Sequence, residues 1–149
     1  GIDFDHYYAS TAERASDTLE IVMGHDIEYT RLKGLKEMSF GLFEGESEDL
    51  NPKPSEMYDD LFPKYGGEYR DEVMERMRKT CIEIMEKEDH NTVLAVSHAG
   101  ASYHFLRNWT TLEEQEQIFA EGGFPNCCIA KYEYENKEFK FVEMIRPNK

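Results

Sequence analysis

Cysteine is scarce in this sequence: Cys81, Cys127 and Cys128 are the whole set. An odd number with two adjacent members gives neither a disulfide framework nor the C-x-x-C spacing of a zinc site. They read as reduced thiols, and a cytoplasmic protein is the expectation. Neither Cys81 nor Cys127 opens a glycine-rich loop with an arginine shortly after it, which a cysteine-based phosphatase needs. Positive charge is also short, with 17 Lys+Arg against 31 Asp+Glu and a net charge of −14. That balance argues against nucleic acid or an anionic membrane surface as partner. No apolar run approaches the roughly 20 residues that cross a bilayer. The opening Gly1-Ile2-Asp3-Phe4-Asp5 lacks the basic head and apolar middle of a secretory signal. Internal repeats and low-complexity linkers are absent.

What is present is an ordinary globular mix. The 149 residues are 40% hydrophobic and 32% charged, which fits one domain with a genuine core rather than a disordered chain. Phe4 to Ala9 suits a short strand. Ser10-Thr11-Ala12-Glu13 has the form of a helix capping box, and Ala12, Ala15, Leu19 and Val22 keep helical spacing up to Gly24. Arg31 to Asp49 reads as irregular. Pro52 and Pro54 break structure before a short helix at Ser55 to Phe62, and a longer helix is expected from Glu68 to about Glu88. Thr92 to Val96 has the unbroken apolar character of a strand buried on both faces. Ala101 to Trp109 reads as helix. Ile129 to Tyr134 and Phe139 to Met144 read as a β-hairpin around Glu135-Asn136-Lys137-Glu138. Alternating strands and helices predict an α/β fold, a mainly parallel sheet flanked by helices.

Two strand–turn–helix junctions are candidate sites, because ligands of open α/β sheets bind beyond the carboxyl ends of the strands. At the first, Arg14 falls in the opening helical turn, where its planar fork could grip two phosphate oxygens. It could equally pair with Asp17 or Glu20 on a solvated face. At the second, His98 follows a strand directly, with small Ala99 and Gly100 behind it. An imidazole there could bind phosphate as a cation, act as acid or base, or be satisfied by local backbone. His6, His25, His90 and His104 have no such setting and read as surface or packing residues. Glu37 lies among hydrophobic residues and glycines from Leu35 to Gly45, a folded loop in which partial burial would suit a general acid. Composition alone does not separate it from the other acidic residues.

In order along the chain, these pieces resemble the histidine phosphatase superfamily, the phosphoglycerate mutase-like fold. Phe4 to Ala15 resembles the family's strand leading into S-S-P-x-x-R-A. Leu35 to Gly45 resembles its L-x-E-x-x-x-G-x-x-E-G loop, and Gly66-Gly67-Glu68 fits the next helix start. Thr92 to Gly100 resembles T-V-L-V-V-S-H-G-G, and Pro125-Asn126 precedes the last strands. The resemblance implies that Arg14, His98 and Ala99 hold the substrate phosphate. It implies that Glu37 protonates the leaving oxygen and that His98 also serves the transition state. No cofactor and no metal are implied. Ala9, Thr11 and Ala99 replace the usual Ser, Pro and Gly, and no charged group is lost.

One departure is larger. The family opens with a strand ending in Arg-His-Gly, whose histidine becomes phosphohistidine, and no Arg-His-Gly occurs in these 149 residues. The expectation is therefore that residues 1–149 form the C-terminal portion of a single such domain, lacking its first strand. The nucleophile would lie upstream, and an open sheet edge would be left that a second copy, as in a homodimer, could cover. Residues 46–67 are expected to lid the pocket, with Tyr58, Phe62 and Tyr65 either lining it or packing it down. The implied function is hydrolysis of a small phosphorylated metabolite. The stretch after Gly45 lacks the Asn-Lys associated with true phosphoglycerate mutases. Mutase-type transfer, or a non-catalytic phosphate-binding module if the natural chain starts near Gly1, are the alternatives.

Overall fold

A computed structural model describes residues 2–39, 63 and 66–147. The short helix expected at Ser55 to Phe62 and nearly all of the 46–67 lid lie outside those residues. Strand β1 (His6–Ser10) runs into helix α1 (Glu13–Met23), which ends at Gly24. Gly24 adopts φ +100°, a left-handed conformation that costs glycine nothing, while its N–H closes on the Glu20 carbonyl at 2.8 Å. Strand β2 (Thr30–Leu32) and a single 3₁₀ turn, Lys33–Leu35, follow. Helix α2 (Arg70–Met85) leads to β3 (Val93–Val96) and α3 (Ala99–Arg107). Helix α4 (Leu112–Ala120) precedes the hairpin of β4 (Ile129–Glu135) and β5 (Glu138–Ile145).

The sheet β2-β1-β3 is parallel throughout, with Tyr8 opposite Thr30 on one side and Ala95 on the other. All its carboxyl ends, and so Ser10, Leu32 and Val96, emerge on one side. The hairpin forms a separate antiparallel pair. Its turn residues Asn136 and Lys137 both take positive φ, the geometry of a two-residue hairpin loop. Tyr132 and Phe139 then reach Phe105 of α3, with ring centroids 5.0 and 5.1 Å away. Tyr8, Leu35, Val73, Met77, Ala101 and Phe105 form the centre of the core between sheet, α2 and α3.

Four sequence expectations need correction. Ser10 is not a helix cap: α1 starts two residues later, with Ala12 at the cap position, and the Ser10 hydroxyl is used elsewhere. Strand β3 is not buried on both faces; it borders the described sheet, its residues are half-buried and Ala95 is exposed. Part of the stretch read as irregular is β2. Helix α4 was not anticipated, although Thr111 and Glu114 form a true capping box, with N–H···O contacts of 3.2 and 3.1 Å. Among the described residues no helix is long and apolar enough to cross a membrane.

Candidate active site

Parallel pairing of β1 with β3 puts the chain reversals after Ser10 and after Val96 side by side. Arg14 and His98, distant in sequence, therefore meet: Nη2 of Arg14 lies 3.1 Å from Nδ1 of His98. On the other side of the ring, Nε2 is 2.8 Å from Oγ of Ser10, which also accepts the Ala12 N–H at 3.2 Å. A guanidinium can only donate, so Nδ1 must be the accepting nitrogen and the ring proton sits on Nε2, directed at Ser10. His98 is thus held neutral in one tautomer and ring orientation. Burial lowers its pKa below the ordinary histidine value; the charges of Arg14 and Arg76 push the same way, while Glu37 opposes them. Arg14 itself is exposed, and its guanidinium turns to His98 instead of pairing with Asp17 or Glu20.

Glu37 comes to the same place from the other side. Ser97, the residue after β3, donates its hydroxyl to the Leu35 carbonyl at 2.7 Å and so ties the end of the strand to the Glu37 segment. The half-buried carboxylate of Glu37 then sits at the amino end of α3. It accepts from the N–H groups of Gly100 at 3.1 Å and Ala101 at 2.6 Å, and from Met38 at 2.9 Å. The Gly100 and Ala101 N–H groups are donors that a helix start leaves without intrahelical partners, and the helix dipole adds to their attraction for an anion. Gly100 makes the approach feasible, since a Cβ there would lie 2.6 Å from Oε1 of Glu37. Ala99, the first helical residue, is exposed beside them.

The remaining histidines are elsewhere. His6 and His90 stack at 3.5 Å at the opposite end of the sheet, with the Tyr8 hydroxyl 2.7 Å from His90 Nε2. His104 is buried in α3 and His25 is exposed beside Glu20. The thiols are free, and burial pushes Cys81 up to about 12, far from a reactive thiolate. Arg14, Glu37, His98 and Ala99, the residues singled out in the sequence, lie together here, and Ser10 joins them as a partner of His98 that the sequence reading did not name. Arg76 and Glu68 were not named either. The signal for Ser10 was a buried hydroxyl at the end of a strand, which the capping pattern explained away.

At the carboxyl ends of the parallel sheet, where open α/β sheets bind their ligands, an arginine, a histidine and a helix start converge. Residues 1–146 match the sequence model of the histidine phosphatase superfamily (branch 1), and the chain belongs to that superfamily. Among curated proteins, none matches the sequence. Solved structures agree in fold. YhfR of Bacillus stearothermophilus shares 21% identity at a TM-score of 0.75, the match covering 95% of this chain and 74% of that one. Phosphoserine phosphatase of Entamoeba histolytica, in complex with 3-phosphoglyceric acid, shares 20% identity at a TM-score of 0.74, covering 97% and 75%. A putative α-ribazole-5′-P phosphatase of Escherichia coli shares 21% at 0.73, covering 98% and 75%.

Proposed function

We propose that this chain is the larger part of a metal-independent phosphatase that hydrolyses a small phosphate monoester through a phosphohistidine. The observation that carries the reading is the convergence of Arg14, His98 and the amino end of α3 at one spot, with Glu37 beside them. The attacking imidazole comes from a strand upstream of residue 1. The matched structures are longer than this chain, and the described sheet stops at β3 with Ala95 exposed, which leaves an edge for such a strand.

Substrate phosphate enters where Arg14 can turn its fork from His98 to two phosphoryl oxygens, next to the exposed residue Ala99 at the start of α3. An imidazole nitrogen attacks phosphorus in line as the bond to the leaving oxygen breaks. Glu37 gives its proton to that oxygen. In the second step Glu37 takes a proton from water, the water oxygen bonds to phosphorus and the P–N bond opens. The Glu37 carboxyl accepts in its contacts with the N–H groups of Met38, Gly100 and Ala101. The acidic surface offers no long-range steering, and attraction is local to Arg14, His98 and the helix.

The test uses the full natural polypeptide with p-nitrophenyl phosphate and an alkyl phosphate, EDTA present. Turnover should persist, and acid-sensitive, base-stable phosphate should be trapped on the protein after a rapid quench. Activity abolished by EDTA, or turnover with no phosphorylated protein, would overturn the reading.

A further inference from the structure

The segment that carries Glu37 has no regular structure beyond its one 3₁₀ turn, yet its carboxylate has to meet α3 to within a fraction of an ångström. Three of the contacts that fix its backbone come from a single side chain of α2. Arg76 donates from Nη1 to the carbonyls of Gly34 at 2.8 Å and Lys36 at 2.9 Å, and from Nη2 to the carbonyl of Glu37 itself at 3.5 Å. The rest of the guanidinium forks onto Glu68, with Nε to Oε2 and Nη2 to Oε1 both at 3.1 Å. Glu68 continues the chain of contacts. Its Oε1 accepts the Ser39 N–H at 2.7 Å, and its own N–H donates to the Ser39 carbonyl at 2.8 Å. Residues 34 to 39 are therefore gripped on both sides of Glu37.

We propose that Arg76 and Glu68 are positioning residues that set where the Glu37 carboxyl sits. The inference rests on the reading of Glu37 as proton donor, and it assigns to these two residues an effect on one step rather than on phosphate binding. The chemistry favours this over a purely stabilising ion pair. The ion pair, with side chains 24% and 22% exposed, occupies Nε and Nη2 of the guanidinium and leaves Nη1 to other partners. The remaining contacts go to three main-chain carbonyls within four residues, and these restrain the backbone that aims Glu37. Lysine cannot substitute, because a point-like ammonium cannot span those carbonyls and a bidentate carboxylate together.

Arg76→Lys, Arg76→Ala and Glu68→Gln are compared with Glu37→Gln in the full natural polypeptide. Each enzyme is assayed with an alkyl phosphate, whose leaving group needs a proton, and with p-nitrophenyl phosphate, whose leaving group hardly does. Misplacement of a catalytic group by about 1 Å can cost about a hundredfold. Arg76→Lys and Glu68→Gln should therefore lose about 10- to 100-fold in kcat for the alkyl ester and much less for the aryl ester. KM and inhibition by inorganic phosphate should stay near wild type. Added guanidinium, below denaturing concentrations, should restore part of the alkyl activity to Arg76→Ala. Leaving-group dependence in Glu37→Gln without any in Arg76→Lys and Glu68→Gln overturns the positioning role alone. Equal losses on both esters, tracking the fraction unfolded and not relieved by guanidinium, overturn it too. A Glu37→Gln enzyme with no leaving-group dependence removes the acid reading, and this proposal with it.

Discussion

Nη2 of Arg14 and Nδ1 of His98 are 3.1 Å apart although 84 positions separate them in sequence. The contact forces His98 to be neutral, because a nitrogen that accepts from a guanidinium cannot carry a proton. The price of arranging the pair this way is that a proton and Arg14 compete for the same lone pair. An anion that draws the guanidinium away frees that lone pair for a proton, and anion binding at this spot is then linked to protonation of the ring.

The same contact makes stability depend on pH. Burial holds the pKa of His98 below the value of 6.5 that a free side chain shows. Between those two values the unfolded chain binds more protons than the folded one, so stability rises with pH. The His98 contribution is complete above about pH 6.5, the unfolded value, and is lost as pH falls through the folded one. Urea unfolding of wild type and His98→Gln should give a stability gap that is widest at pH 7.5 and narrows towards pH 5. A gap that stays constant would mean His98 is not held neutral.

Gly100 offers a cleaner probe of Glu37 than altering Glu37 itself. A methyl group at Gly100 would come within 2.6 Å of Oε1 and 3.1 Å of Cδ of Glu37. The far end of a flexible side chain yields readily, and alanine is favoured over glycine in a helix by up to about 1 kcal/mol. Gly100→Ala should keep or slightly raise the melting temperature while displacing the carboxyl. Alkyl phosphate hydrolysis should fall by about tenfold or more, as expected when a proton donor is misplaced. Unchanged alkyl activity in a folded Gly100→Ala protein would show that Glu37 does not need its seat on α3.

Gly34 tests the other anchor of that segment. A Cβ there would be 2.9 Å from both Cβ and Cγ2 of Thr80 and nearer still to its hydroxyl. Thr80 is β-branched and stiff, so little can give. Gly34→Ala should cost about 1–3 kcal/mol. Thr80→Ala in the same chain removes the hydroxyl and Cγ2 but keeps Cβ, so it should recover part of the loss, a coupling that a double-mutant cycle measures. Additive losses would mean the two residues do not touch.

How much of this could be read beforehand depended on whether the signal was local. The helix of Arg70–Met85 and the hairpin carry their periodicity in a few consecutive residues, and Asn136-Lys137 is a turn on its own terms. Strand β2 is three residues long with two exposed, so no apolar pattern marks it. The apolar run at β3 suggested full burial, but runs of that kind do not say whether both edges are paired. Around the site, Arg14 and His98 stood out by their place at strand ends. Ser10 was assigned to the wrong partner because a capping box is a local pattern and the His98 contact is not. Arg76 and Glu68 looked like ordinary charges on a helix, and only the folded chain brings the backbone of residues 34–39 to them.

The claim on which the account stands is that Arg14 and His98 together hold a tetrahedral dianion at the start of α3. Sulfate, which stays a dianion across the neutral range, tests it by titration calorimetry of the full natural polypeptide at pH 7.5 and 6.0. Hydrogen bonds to charged groups contribute about 1.5–3 kcal/mol, or roughly 10- to 150-fold in affinity. Wild type should bind sulfate, and bind it more tightly at pH 6.0. Arg14→Ala should weaken binding by at least about tenfold, and His98→Gln should lose the pH dependence. Sulfate binding of equal strength in wild type and Arg14→Ala, indifferent to pH in both, would contradict it.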